Sequence, residues 1–217
     1  MGSAIQQDLF NQLNISLVNV GVDEVGRGCL AGPVVACACF ALDDCKLPSV
    51  YDSKALTPQD RQDLFLTLSQ LDNFHFSFGV VSNEVIDRIN ILQATFQAMR
   101  LALSRLPQEF GQVLVDGSLK IPGVKHPQIA IVKGDAKEPL ISASSILAKV
   151  YRDHLMDICD KKYPGYGFSE HKGYGTSQHL DAIKKLGPSP IHRMSFSPLT
   201  KKQDSLELLL PFEEFFI

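Results

Sequence analysis

The stretch VNVGVDEVGRGCLAGPVVACACFAL, residues 18–42, decides how this chain folds. Its first part, 18–23, and its last part, 33–42, are apolar runs typical of buried β-strands. Between them, Gly26 and Gly28 indicate a turn. The stretch therefore predicts two consecutive strands with a short glycine-rich connection, which favours antiparallel pairing.

The remaining chain is expected to add helices and further strands around this pair. Consecutive strands early in the chain predict an antiparallel meander, and a long helix after the third strand predicts a crossover to parallel pairing. The sequence thus indicates an α/β fold with a mixed sheet. The expected strands are 74–81, 112–115 and 128–132, and the expected helices are 4–13, 57–71, 82–106, 142–159, 176–186 and a short one after 201, with a loop over 160–175.

The composition is that of a globular domain. The 217 residues are 45% hydrophobic and 21% charged, with a mean hydropathy of +0.02. These values exclude a disordered or collagen-like chain, and no apolar run reaches the roughly 18 residues of a membrane span. The N-terminal residues carry no basic region followed by an apolar run, so we expect no secretory signal, no membrane association and a cytoplasmic location. Five cysteines without a CxxC pattern indicate neither a disulfide framework nor a zinc site.

Charge is distributed unevenly along the chain. Residues 1–119 hold 7 basic and 13 acidic side chains, residues 120–202 hold 14 and 7, and the last fifteen residues hold 4 acidic ones only. An acidic first half beside a basic second half is typical of metal-binding carboxylates that face a polyanion. Ordinary variation in surface charge is the alternative.

Aspartates follow three of the expected strands at the point where each strand ends. They are Asp23, Asp116 and Asp135, and Glu24 lies next to the first. Functional groups of an open α/β sheet gather where strands end, so neighbouring strands would bring these carboxylates together. Adjacent residues of a regular strand point to opposite faces. Asp23 and Glu24 therefore share a site only if the strand ends or twists there, which the following glycines permit.

A group of carboxylates without histidine or cysteine indicates a hard cation such as Mg²⁺ or Mn²⁺. Close carboxylates raise each other's pKa unless a cation lies among them. Two such ions about 4 Å apart hold the attacking water and the leaving oxygen of a phosphodiester in line. The pattern therefore predicts metal-assisted phosphodiester hydrolysis. For Asp116 or Asp135 taken alone, a simple turn-forming role is the alternative.

Six short motifs, in order, resemble those of ribonuclease HII, the prokaryotic type 2 ribonuclease H. Each is a weak pattern, but six in the same order over about residues 18–198 are highly specific. The motifs are VDEVGRGCLAGPVVA at 22–36, DSK at 52–54, VDG at 115–117, KGD at 133–135, SASSILAKVYRD at 142–153 and HKGYGT at 171–176.

The resemblance implies a ribonuclease H-like α/β fold, with a mixed five-stranded sheet flanked by helices and a small helical C-terminal lobe. It implies a catalytic core over 1–160 and a substrate-binding lobe over 161–217 that packs on the core and is not an independent domain. The implied activity is cleavage of the RNA strand of RNA/DNA hybrids. It includes incision 5′ of a single ribonucleotide in duplex DNA, leaving a 3′-hydroxyl and a 5′-phosphate.

The resemblance also implies roles for individual residues. Asp23, Glu24, Asp116 and Asp135 correspond to the catalytic acids that bind two divalent ions, Mg²⁺ or Mn²⁺. Asp153 matches a supporting acid, although a surface ion pair with Arg152 is the alternative. Tyr174 matches a tyrosine that contacts the 2′-hydroxyl and stacks on the next sugar. The implied nucleic-acid contacts are Gly26, Arg27, Gly28, Ser53, Lys54, Lys172, Tyr174 and Thr176.

Two other classes of function remain open at this point. One is a non-catalytic nucleic-acid or clamp-binding module on the same fold, and the other is a relative such as a resolvase that cuts branched DNA. The apolar C-terminal tail, which ends in Phe215, Phe216 and Ile217, either docks on a sliding clamp or folds back on its own lobe. We expect a monomer.

Overall fold

The computed structural model describes residues 18–42, 45–48, 56–106 and 110–200. Its centre is a five-stranded sheet with the strand order β3-β2-β1-β4-β5. The predicted helices at 4–13 and after 201 lie outside the described residues, as do Ser53 and Lys54. The strands are β1 (Asn19–Val25), β2 (Val34–Ala41), β3 (Phe74–Val81), β4 (Gln112–Asp116) and β5 (Gln128–Ile131).

The sheet combines antiparallel and parallel pairing, as the sequence predicts. β2 pairs antiparallel with both β1 and β3, whereas β4 pairs parallel with both β1 and β5. The mixed five-stranded sheet implied by the resemblance is therefore confirmed. Because β1, β4 and β5 run in the same direction, their carboxyl ends meet at one edge of the sheet.

Six helices surround the sheet within the described residues, together with a 3₁₀ turn over Gly134–Ala136. Two expectations differ from the structure. The helix predicted over 82–106 is two helices, and the loop predicted over 160–175 contains one short helix. The helices are α1 (Pro58–Ser69), α2 (Asn83–Ile89), α3 (Ile91–Ser104), α4 (Pro139–Lys162), α5 (Phe168–His171) and α6 (Ser177–Leu186).

Asn90 separates α2 from α3 because its backbone has a φ of 66°, which no α-helix accommodates. Its side-chain Oδ1 accepts a hydrogen bond from the Gln93 N–H at 3.1 Å and so caps α3. The apolar spacing continues across this break, since Ile86 and Ile89 on one side are in phase with Leu92 on the other. Periodicity alone therefore predicted one helix where there are two.

Both faces of the sheet are covered, which explains why β2 is apolar throughout. Val34, Ala36, Ala38 and Phe40 face one cluster of buried side chains, which includes α3. Their neighbours Val35, Cys37 and Cys39 face a second cluster, formed with α1 and α4. None of the five cysteines is in a disulfide bond. In the described part of the chain, no helix has the length and apolar content needed to cross a bilayer.

The segment after α4 packs back on that helix. A third buried cluster joins Met156 of α4 to Ala31, Tyr166 and Phe168. α4 itself runs to Lys162, across the predicted boundary at residue 160. The division into a core and a substrate-binding lobe stays a prediction.

Gly79 marks the closest approach between the sheet and α3. A Cβ atom at this position would overlap the carbonyl oxygen of Ala98. This oxygen belongs to the backbone of α3, so it cannot rotate away as a side chain could. β3 and α3 would have to move apart, and buried contacts between them would be lost.

We therefore expect Gly79→Ala to lower the free energy of unfolding by at least about 2 kcal/mol, as overpacked cores do. Urea denaturation of the purified protein measures this loss. Gly28→Ala is the matched control, because a Cβ at Gly28 would meet no atom within 4 Å. A Gly79→Ala variant as stable as that control would contradict the close contact.

Candidate active site

The four predicted acids line one cleft at the carboxyl edge of the sheet. Its volume is about 400 Å³, and Asp23, Glu24, Asp116 and Asp135 all contribute to its wall. The pairing of β1 with β4 explains why Asp23 and Asp116 are neighbours. Val22 lies opposite Val115 in the register, and each aspartate directly follows one of these valines. The sheet therefore brings together carboxylates that are up to 112 positions apart in the sequence.

Asp23 is almost completely buried. Its exposed fraction is 5%, and its Oδ1 accepts a hydrogen bond from the Glu24 N–H at 2.7 Å. Burial, and to a smaller extent repulsion from Glu24 and Asp116, raises the pKa of Asp23 well above its ordinary value. A hydrogen bond from the Ser145 side chain opposes this rise. Burial and the neighbouring carboxylates therefore outweigh the hydrogen bonds that Asp23 accepts.

Glu24 is held by a neighbouring cation. Arg27 Nη1 lies 3.2 Å from Glu24 Oε1, three residues along the chain. Burial raises the pKa of Glu24, and Arg27 partly offsets that rise. Because the Arg27 side chain is half-exposed, the pair contributes little to stability and is easily rearranged.

A tight turn brings Asp135 to Asp116. Lys133 has a φ of 57°, which folds the chain after β5 back toward the end of β4. As a result, Asp116 Oδ1 accepts hydrogen bonds from the N–H groups of Gly134 at 2.7 Å and Asp135 at 3.4 Å. A Cβ atom at Gly134 would lie 2.6 Å from the Ile141 Cδ1, so a larger residue there would force the Ile141 side chain to move. Asp135 itself is 4% exposed.

The donor atoms of this cleft fit Mg²⁺ or Mn²⁺ but are not already arranged around an ion. They are carboxylate oxygens, the ligands that hard cations prefer. Across the described ranges, no three His, Cys, Asp or Glu side chains form a ready metal cluster. Glu24 is engaged by Arg27, and Asp116 by the Gly134 N–H. A cation would remove the repulsion that raises the pKa of Asp23.

The predicted recognition residues occupy the rim of the same cleft. Gly26, Arg27 and Gly28 form one wall, and Tyr174, which is 39% exposed, forms another. A backbone bridge between Cys29 and Tyr174 joins the two walls. The ring of Tyr174 also lies 5.8 Å from Lys149 Nζ, within the range of a cation–π contact.

Three further polar residues line the cleft and were missed in the sequence: Arg61, Ser145 and Lys149. Ser145 and Lys149 are four residues apart on α4 and so share a helix face. Both belong to the SASSILAKVYRD motif, which could have singled them out. Arg61 belongs to none of the six motifs, and only the packing of α1 against α4 brings it here.

Three predicted residues lie outside the lining of this cleft. Asp153 forms its ion pair with Lys149, at 2.9 Å, and not with Arg152 as the sequence alternative proposed. Lys172 pairs with Asp157. Together with Arg61, Asp153 and Lys172 line a second, smaller cleft of about 210 Å³. Thr176 is the N-cap of α6, where its hydroxyl accepts from the His179 N–H at 3.3 Å.

Neutralising Asp23 should stabilise the metal-free protein. The pKa of Asp23 is higher in the folded than in the unfolded chain, so its ionised form destabilises the fold at neutral pH, and that penalty disappears as the pH falls toward about 4. We expect Asp23→Asn to raise the free energy of unfolding in EDTA at pH 7 by on the order of 1 kcal/mol, with a smaller gain at lower pH.

Urea denaturation at several pH values measures this difference. Asp181→Asn is the matched control, because the Asp181 side chain is 71% exposed on α6, where it pairs with Lys184. An Asp23→Asn variant that is less stable than the wild type at pH 7 would contradict the raised pKa of Asp23.

Comparison with known proteins agrees with this geometry. The ribonuclease HII family model matches residues 20–199. Ribonuclease HII of Geobacter sulfurreducens is 53% identical over 176 residues, which cover 81% of this chain and 80% of that protein. Ribonuclease H2 of Pyrococcus horikoshii has a TM-score of 0.68 at 28% identity, covering 84% of this chain and 95% of its own.

Ribonuclease HII of Archaeoglobus fulgidus, in its complex with PCNA, has a TM-score of 0.69 at 25% identity, covering 87% of this chain and 99% of its own. The family model thus spans most of the chain, and solved relatives share the fold. On both grounds, this chain belongs to the ribonuclease HII family of endoribonucleases.

Proposed function

We propose that this protein hydrolyses the RNA strand of RNA/DNA hybrids and also incises 5′ of a single ribonucleotide in duplex DNA. The products would carry a 3′-hydroxyl and a 5′-phosphate. The observation that carries the proposal is the meeting of Asp23, Glu24, Asp116 and Asp135 in one cleft. Membership of the ribonuclease HII family supports the same reaction class.

The four carboxylates are the residues that would hold two divalent ions, Mg²⁺ or Mn²⁺. When bound, the ions would supply activation of the attacking water and stabilisation of the departing 3′-oxygen. The chain's own part is to hold the four carboxyl groups in one cleft. No side chain needs to act as the nucleophile.

The walls of the cleft would bind and orient the substrate. Glycines at 26 and 28 let backbone N–H groups come close to a ribose hydroxyl or a phosphate. The half-exposed guanidinium of Arg27 suits a phosphate oxygen. On the rim of the same cleft, the Tyr174 ring offers a flat surface to a sugar, and its hydroxyl would contact the 2′-hydroxyl.

The cleft favours this reaction over simple binding. A surface that only binds a polyanion gains nothing from placing four acids where phosphates must lie, since they repel the ligand. Because the pKa of Asp23 is raised, the ionised form of this carboxylate lowers the free energy of unfolding. Such a cost at a cleft is typical of a site used for chemistry.

A cleavage assay separates this reaction from the two alternatives. The substrate is duplex DNA with one ribonucleotide, and the reaction is run with Mg²⁺, with Mn²⁺ or with EDTA. Metal-dependent incision 5′ of the ribonucleotide supports the proposal. Binding without a cut would indicate a binding module, and cutting of branched DNA alone would indicate a resolvase.

Asp116→Asn should abolish cleavage while leaving the fold and substrate binding intact. Asparagine keeps the oxygen that accepts from Gly134 but loses the charge that a cation needs. We expect kcat to fall at least roughly 100-fold, as when other groups that stabilise a transition-state charge are removed. Gel-based cleavage and a binding titration in EDTA measure the two properties. Unchanged turnover would argue against the site, and Asp181→Asn is the control.

Tyr174→Ala should impair cleavage at a single ribonucleotide more than cleavage of a continuous hybrid. Loss of stacking on the neighbouring sugar is expected to lower the rate at the junction about tenfold. Tyr174→Phe keeps the ring and should lose less. Comparing the two substrates side by side measures this, and an equal loss on both would contradict a role at the RNA–DNA junction.

Further expectations concern partners and location. The PCNA complex of the Archaeoglobus fulgidus relative makes clamp docking by this chain a reasonable proposal. The tail that would carry it, 201–217, lies outside the described residues. A monomeric state and a cytoplasmic location also stay predictions, as does binding of ribonucleotide-containing duplex DNA through Ser53, Lys54, Lys172 and Thr176.

A further inference from the structure

Two arginines are completely buried behind the cleft. Arg152 on α4 and Arg193 near the end of the described chain both have an exposed fraction of 0%. Within the part of the chain that the structure describes, neither forms a salt bridge with a carboxylate. An isolated buried cation is costly, so these side chains need strong compensation from their surroundings.

Backbone carbonyl groups supply that compensation. Arg193 donates from Nη2 to Gly26 O at 2.7 Å, from Nη1 to Arg27 O at 2.9 Å and from Nε to Gly32 O at 3.0 Å. Burial lowers the pKa of Arg193 to about 10, with a smaller contribution from Arg152, so the guanidinium stays protonated at neutral pH. All three bonds are therefore charge-assisted, which makes them stronger than neutral ones.

Arg152 braces the same segment from the other side. It donates to Ala31 O at 3.1 Å, to Pro33 O at 3.0 Å and to Lys172 O at 2.8 Å. A Cβ atom at Gly26, where φ is 92°, would overlap the Arg152 Nε. The turn at 26–28 thus packs against the guanidinium of Arg152 and accepts hydrogen bonds from that of Arg193.

These bonds decide where the N–H groups of the turn point. In a planar trans peptide, the C=O and the following N–H point in opposite directions. Because Arg193 draws the carbonyls of Gly26 and Arg27 toward the interior, the N–H groups of Arg27 and Gly28 point away from it. Both residues line the cleft.

Those two N–H groups have no hydrogen-bond acceptor among the described residues, whereas the next residues along the chain do have partners. The Leu30 N–H donates to Gly173 O at 2.8 Å, and the Gly32 N–H donates to Ile191 O at 2.9 Å. The segment that follows this pair of free donors is therefore fixed by hydrogen bonds. Such a pair suits a hydroxyl or a phosphate oxygen of a ligand.

We infer that Arg193 is a positioning residue for substrate recognition, which acts by holding the Gly26 and Arg27 carbonyls so that the Arg27 and Gly28 N–H groups face the cleft. The inference rests on the proposed function, because it assigns those N–H groups to the ribonucleotide. Arg193 does not touch the substrate itself. Its removal should loosen recognition of the 2′-hydroxyl more than it slows the chemical step.

Amide hydrogen exchange of the ¹⁵N-labelled wild-type protein tests the orientation without any variant. In the free protein, the Arg27 and Gly28 amides should exchange fast, while those of Leu30 and Gly32 are protected. Adding duplex DNA with one ribonucleotide, in EDTA at low salt, should protect both turn amides more than all-DNA duplex does. Slow exchange of these amides in the free protein would overturn the inference.

Substitutions test the role of the guanidinium. Arg193→Met removes all three donors, and Arg193→Lys keeps the charge with fewer bonds. We expect the preference for ribonucleotide-containing over all-DNA duplex, measured by binding in EDTA, to fall about tenfold in Arg193→Met and less in Arg193→Lys. In cleavage, KM should rise more than kcat falls. Leu68→Ala is the control, because it removes a fully buried side chain that supplies none of these hydrogen bonds.

The outcomes separate this inference from the proposed function. If the wild type cleaves the ribonucleotide substrate but folded Arg193→Met keeps the full binding preference, the positioning role is wrong and the proposed function stands. A wild type with neither cleavage nor preference overturns both. If Arg193→Met loses preference only as much as Leu68→Ala does, the arginine is merely structural. If neither Arg193 variant folds, the exchange measurement decides.

Discussion

The parallel pairing of β1 with β4 is the constraint on which the site depends. It places the end of β4 beside the point in β1 where Asp23 follows Val22, so that Asp23 and Asp116 become neighbours. β5 extends the same edge, and the turn after it adds Asp135. A crossover through α2 and α3 makes this pairing possible, because parallel strands need a long connection. The helices are therefore as necessary to the carboxylate cluster as the strands are.

The four carboxyl groups lie in one cleft although their negative charges repel one another. Burial and repulsion raise the pKa of Asp23, and the nearest compensation comes from Arg27 on Glu24 and from backbone N–H groups on Asp116. The surrounding core tolerates this because both faces of the sheet are packed. Functional sites commonly trade stability for such arrangements. A divalent cation would turn the same repulsion into a binding force.

The turn at 26–28 depends on a different interaction, which is hydrogen bonding between buried arginines and backbone carbonyl groups. Arg152 and Arg193 come from α4 and from the segment after α6, yet both bond to the backbone between Gly26 and Pro33. They connect the turn after β1 to the chain that carries Tyr174. Buried hydrogen bonds from these two arginines thus join the rim of the cleft at 26–28 to the segments around it.

The sequence by itself determined the strands, the mixed sheet, the family and the four acids, because apolar runs, glycines and short motifs are local signals. It did not reveal the break at Asn90, since apolar spacing continues across it. Nor did it reveal that Arg61 lines the cleft or that Asp153 pairs with Lys149. The hydrogen bonds from the buried Arg193 to the turn at 26–28 were also not evident from the sequence. Those properties arise from contacts between segments distant in sequence, and only the tertiary structure decides which donor meets which acceptor.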